Sequence, residues 1–110
     1  MDRLFTYGSL QPGGTNEHLL SGVHGDWSPA SVVGRLLDEG WGADIGYPGL
    51  ELDEDGEPVD GWVLASPDLA QHWDRLDAFE GRHYQRVTTE VALPDGTMVP
   101  ASVYVVRAVV

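Results

Sequence analysis

Glu80 is the carboxylate in this sequence with the strongest claim to chemistry. It extends the series Leu69, Trp73, Leu76 and Glu80, at spacings of four, three and four. On a helix those positions form one apolar stripe, so Glu80 is expected to point toward the body of the protein. It also falls in the last turn before Gly81, where the helix dipole disfavours negative charge. Burial and dipole both raise a carboxyl pKa toward the range of a general acid or base. The competing reading has the helix end fray, with Glu80 turning to solvent or pairing with Arg82 or Arg86.

A second candidate is the run Tyr7-Gly8-Ser9-Leu10, followed by Gln11-Pro12-Gly13-Gly14. It ends an apolar segment and leads toward Asn16, a residue suited to cap a short helix. Glycine lets backbone approach a ligand closely, and free N–H groups in such a turn hold anions. The glycine spacing matches neither a phosphate loop nor a dinucleotide loop. An ordinary strand-to-helix turn is the plainer reading. Ser9 is not in the Gly-x-Ser-x-Gly setting of a serine nucleophile, and His18, His24, His72 and His83 lack the spacing of a helical metal pair. Tyr84 can wall a pocket, and Arg86, on the same strand face, can hold a carboxylate or form a surface salt bridge. Glu51, Asp53, Glu54, Asp55, Glu57 and Asp60 surround a hairpin turn and read as a solvated loop.

The elements that must position these residues are mostly strands. Arg3 to Tyr7, Ser31 to Leu37, Gly46 to Leu52 (interrupted at Pro48) and Val59 to Ala65 read as strands. Asp55-Gly56 supplies a turn between the last two. Ser66 as N-cap, Pro67 at the first helical position and Asp68 at the positive dipole end open a helix that runs to Glu80. Tyr84 to Leu93 and Met98 to Arg107 form a hairpin around Asp95-Gly96. Val87, Thr89, Val91 and Leu93 share one face of its first arm; Val99, Ala101, Val103 and Val105 share one face of its second. The expected architecture is α+β: a small mixed, mostly antiparallel β-barrel with one or two flanking helices. An open sheet with helices on one face is the alternative.

Composition bounds the rest. The 110 residues suit one domain over 1–110, and 42% hydrophobic content calls for a folded core. Six arginines and no lysine stand against eighteen Asp and Glu, for a formal charge of −12. So acidic a surface repels phosphate backbones and anionic lipid, so no nucleic-acid or membrane partner is expected. The absence of cysteine excludes disulfides and thiolate chemistry, and the absence of lysine excludes Schiff bases. Met1-Asp2-Arg3-Leu4 has no secretory pattern, so a cytoplasmic location is expected.

Taken in order, the motifs resemble one family. Leu4-Phe5-Thr6-Tyr7-Gly8-Ser9-Leu10 with Pro12-Gly13 resembles the opening of the γ-glutamylcyclotransferase-like family. Leu76-Asp77-Ala78-Phe79-Glu80-Gly81 followed by Tyr84-Gln85-Arg86 resembles its acidic motif. Tyr47-Pro48-Gly49-Leu50, Val59-Asp60-Gly61 and Val103-Tyr104-Val105 fall where that family has similar stretches, so the likeness spans the chain. It implies the barrel fold, a general acid/base at Glu80 and a substrate loop at Tyr7, Gly8, Ser9 and Leu10. It also implies aromatic walls at Tyr84 and Tyr104. The implied substrate is a small γ-glutamyl amide, cyclised to 5-oxoproline with no metal or cofactor. The sequence stops at Val110, without the longer tail that helps close the pocket in some relatives. A non-catalytic small-molecule-binding module on the same barrel is the alternative, followed by another reaction on a γ-glutamyl or aminoacyl amide.

Overall fold

The computed structural model describes residues 2–8, 10, 12–14, 17–37, 49–81 and 84–106. Strand β1 is Asp2–Thr6, β2 Asp26–Leu37, β3 Gly49–Leu52, β4 Glu57–Ser66, β5 Tyr84–Ala92 and β6 Met98–Val106. One α-helix, α1, spans Trp73–Glu80, and 3₁₀ turns occupy Glu17–Leu20 and Leu69–Gln71. The sheet order is β3-β2-β4-β1-β6-β5, and a β2–β5 pairing closes β2, β4, β1, β6 and β5 into a barrel. β1 and β6 are parallel; every other pairing among the described residues is antiparallel. The mixed barrel read from the sequence is therefore the observed one, and the open sheet is not.

Alternation along the strands builds two cores. Phe5, Val32, Leu50, Val59, Val63, Val91, Ala101 and Val103 fill the barrel, with Val87, Leu93, Val99 and Val105 packed against them. Leu4, Leu64, Tyr84 and Tyr104 belong to the other face and pack with Leu10, Leu20, Leu69 and Leu76 beneath the helical segments. Leu4 and Phe5, or Val103 and Tyr104, are neighbours in sequence that enter different cores because successive strand side chains alternate.

Two elements differ from expectation. β2 begins at Asp26, five residues before the expected Ser31, and runs through Pro29. Asp26 to Ala30 pair with β4, while on the opposite side β2 meets β5 only at Ser31 and β3 only from Gly34 onward. A proline is tolerated beside such an unpaired edge. The helix expected from Ser66 is also split. Asp68 N–H donates to the Ser66 hydroxyl at 3.0 Å, and the Asp68 carboxylate accepts the His24 N–H at 3.1 Å. Ser66 also donates to the His24 carbonyl. These side-chain bonds tie the first turn to the chain at His24, and the segment closes as a 3₁₀ turn through His72 N–H to Leu69 C=O. The α-helix proper starts at Trp73.

The β5–β6 hairpin turn follows its residues, whereas β3 and β4 each pair with β2 and, among the described residues, not with each other, so Asp55-Gly56 turns the chain without closing the expected hairpin. Gly96 has φ 87°, its N–H donates to the Leu93 carbonyl, and Asp95 accepts the Thr97 N–H. Asn16 and the stretch Gly46 to Pro48 lie outside the described residues.

Candidate active site

Chain direction gathers the candidate residues at one end of the barrel. Tyr7 follows the last residue of β1. Because β6 runs parallel to β1, its late residue Tyr104 reaches the same end. β5 runs back beside β6, with Tyr84 opposite Val106 and Arg86 opposite Tyr104. Helix α1 ends immediately before β5, and its final residue is Glu80. Gly81 then stops the helix at φ 78°, a conformation that suits glycine, with its N–H bonded to the Asp77 carbonyl at 3.0 Å.

Glu80 is partly buried, and burial pushes its pKa from 4.5 up to about 7. Desolvation is the cause of the shift. The Glu80 charge is felt by three phenols. The pKa of Tyr7 is raised, first by burial and also by Glu80. Burial raises Tyr104, as does its bond to Asp77, and Glu80 adds to both. Burial and then Glu80 raise Tyr84. These electrostatic couplings place one carboxylate among three neutral hydroxyl groups.

The phenols are held by specific bonds. The Tyr7 hydroxyl donates to the Tyr104 carbonyl at 2.7 Å and accepts the Leu50 N–H at 3.2 Å. One side chain thus ties β1 to β6 and β3. The Tyr104 hydroxyl donates to Asp77 at 2.6 Å. Asp77 also accepts two bonds from Arg86, at 3.0 and 3.2 Å, and the Arg86 guanidinium lies 4.4 Å over the Trp73 ring. Asp77, Gly81, Tyr84, Gln85, Arg86 and Tyr104 line a concavity of about 280 Å³ beside Glu80.

Among the residues singled out in the sequence, the structure therefore brings Glu80, Tyr7, Tyr84 and Tyr104 together. Gly8 directly follows Tyr7. Leu10 is buried in the core beneath the helical segments, so its side chain anchors the loop. Ser9, Arg82 and His83 lie outside the described residues. Arg86 is the partner of Asp77 rather than of Glu80. Asp77 carried no assigned role in the sequence, yet it joins α1 to both β5 and β6. Its position one turn before Glu80 on the helix is the signal that was available. The Leu50 N–H, a backbone group 43 positions from Tyr7, carries no such signal. Among the described residues no group of three His, Cys, Asp or Glu is placed to hold a metal.

The fold is thus a small closed barrel with a desolvated carboxylate among phenols at one rim. The chain belongs to the gamma-glutamyl cyclotransferase, AIG2-like family, whose sequence profile matches residues 4–109. An AIG2-like protein from Mus musculus superposes with TM-score 0.75 at 24% identity, over 100% of this chain and 80% of that one. The protein At5g39720.1 from Arabidopsis thaliana gives 0.72 at 27% identity, over 96% and 68%. YkqA from Bacillus subtilis gives 0.73 at 26% identity, over 96% of this chain but only 36% of that one, so this chain spans about a third of YkqA. No functionally curated sequence matches. These likenesses carry the fold; the chemistry must be argued from the site.

Proposed function

We propose that the protein is a cofactor-independent cyclotransferase that converts a γ-glutamyl amide to 5-oxoproline and a free amine. The observation that carries this reading is Glu80, a carboxylate whose burial raises its pKa to about 7 at a rim shared by Tyr7, Tyr84 and Tyr104. A solvated carboxylate is too weak a base to compete for an ammonium proton, whereas one tuned near neutrality can both take and return it.

In the proposed reaction ionised Glu80 takes a proton from the substrate's α-ammonium. The amine nitrogen attacks the γ-carbonyl carbon, forming the C–N bond of a five-membered ring. The bond from that carbon to the leaving nitrogen then breaks as Glu80 gives its proton to the departing amine, and the ring nitrogen loses its second proton, so that the lactam keeps one N–H and the amine leaves as an ammonium. Backbone N–H groups of the Tyr7-Gly8-Ser9-Leu10 loop hold the substrate's carboxylate end and stabilise developing charge. Tyr84 and Tyr104 wall the pocket. Because the reaction is intramolecular, the protein contributes mainly orientation, plus about 10²–10⁴-fold from proton transfer. The reading places the enzyme in the cytoplasm. Among the described residues no helix is long and apolar enough to cross a membrane.

The test is a panel of γ-glutamyl amides, with amino-acid, polyamine and ε-lysyl leaving groups, scored for 5-oxoproline. Turnover by the wild type and its loss in Glu80→Gln, with the fold intact by circular dichroism, is the expected result. Undiminished turnover in the variant removes Glu80 from the mechanism. A wild type that releases no 5-oxoproline from any member supports the non-catalytic binding module instead.

A further inference from the structure

A second cavity, of about 560 Å³, lies on the barrel away from Glu80, and none of the residues discussed at the rim lines it. Its floor is the outer face of the β2–β4 pair. There Pro29 stands opposite Trp62 and Ser31 opposite Asp60. Val59 and Val63 point into the barrel, so Asp60 and Trp62, displaced by one residue, share the outward face. The third wall is the end of the β5–β6 hairpin, brought against β2 by the Ser31–Ala92 pairing and contributing Pro94. The volume falls within the range of small-molecule sites, about 300–1,000 Å³.

Two side chains in this cavity have unused recognition chemistry. The Asp60 carboxylate and the Trp62 indole make no hydrogen bond, ion pair or ring contact with any described residue, and neither has a buried polar atom left without a partner. Sitting two apart on a strand, they are separated by about 6.6 Å along it, enough for a flat group to rest on the indole and reach the carboxylate. The same protein shows what a tryptophan and an aspartate hold in this way. Arg86 lies 4.4 Å over Trp73 while Asp77 accepts two of its N–H groups. At Trp62 and Asp60 the aromatic face and the carboxylate are present, and no arginine of the described chain lines the cavity. A net charge of −12 draws cations to this surface.

We propose that the cavity between β2, β4 and the β5–β6 turn binds a guanidinium-bearing small molecule, stacked on Trp62 and paired with Asp60. The planar fork suits this pair better than an ammonium, which offers neither stacking nor bidentate geometry. The site is independent of the cyclotransferase reading, because its test reads binding rather than turnover.

Agmatine titrated into the full chain by calorimetry tests it, with tryptophan fluorescence followed in parallel. One-to-one saturable binding that weakens with salt is expected. Asp60→Asn and Trp62→Leu should each lower affinity by about tenfold, the scale of one cation–π or ion-pair contact. Both positions are at least partly exposed, so unchanged thermal melting confirms that the variants fold. Butylamine, with an ammonium alone, should bind more weakly than agmatine. An arginine-containing tripeptide binding more tightly than agmatine would overturn the small-molecule assignment in favour of a peptide-borne guanidinium. Absence of saturable agmatine binding at millimolar concentration overturns the proposal, as does equal binding by Asp60→Asn and wild type.

Discussion

Replacing Glu80 by glutamine should make the protein more stable while abolishing turnover, and the size of that gain should depend on pH. Burial raises the Glu80 pKa from 4.5 to about 7. At about 1.4 kcal/mol for each pH unit, ionising Glu80 costs about 3 kcal/mol more in the fold than in the unfolded chain. Residual solvent contact makes about 2–3 kcal/mol the working figure. Below pH 4.5 the group is protonated in both states and contributes nothing. Between 4.5 and about 7 the folded protein holds a proton that the unfolded chain has released, so stability falls as pH rises. Above about 7 both states are ionised and the full penalty is present. Glutamine mimics the protonated acid and escapes this penalty. Urea unfolding of both proteins across this range should show curves that coincide near pH 4.5 and diverge up to a plateau above neutrality. A constant difference, or a variant less stable than wild type above pH 7, would refute the claim that Glu80 is desolvated and with it the physical basis for its basicity. The expected outcome is a trade of stability for a working base.

Three further perturbations probe the scaffold of the site. Tyr7→Phe leaves the Leu50 N–H and the Tyr104 carbonyl without the hydroxyl that joins them, and should cost about 1–3 kcal/mol in denaturant titration and reduce kcat/KM. Tyr104→Phe removes the hydroxyl bonded to Asp77; a loss of about 1–2 kcal/mol is expected, with the Arg86–Asp77 pair intact by nuclear magnetic resonance. Gly61→Ala puts a methyl group against the Thr6 carbonyl and 2.7 Å from Phe5 Cζ. A destabilisation of about 3 kcal/mol should appear as a lowered melting temperature, because neither the backbone nor the buried ring can yield cheaply.

Much of the fold was legible because its signals are local. Alternation placed Val87, Val91, Ala101 and Val103 in the barrel, Asp95-Gly96 marked its hairpin, and the stripe Trp73, Leu76, Glu80 found the helix α1. Local propensity failed where a tertiary bond replaced it. Pro29 hid the first part of β2, since nothing near it in sequence reveals that its outer side has no partner strand. Ser66 was recognised as a cap, but its bond with His24, 42 residues away, shortened the helix it was expected to open.

The site divides in the same way. The sequence by itself determined which groups were available: one carboxylate on an apolar stripe, a glycine-bearing loop after a strand, and no thiol, lysine amine or helical histidine pair to compete with them. It also determined that Glu80 would be drawn inward, since a stripe faces the core whatever that core contains. The tertiary structure decided what surrounds it. The parallel pairing of β1 and β6 brings Tyr7 to Tyr104 across 97 residues, and Asp77 reaches across from α1 to fix Tyr104 and Arg86. A pKa depends on the water excluded by such distant neighbours, so the carboxylate could be found from spacing, while its elevation to about 7 by burial required the closed barrel.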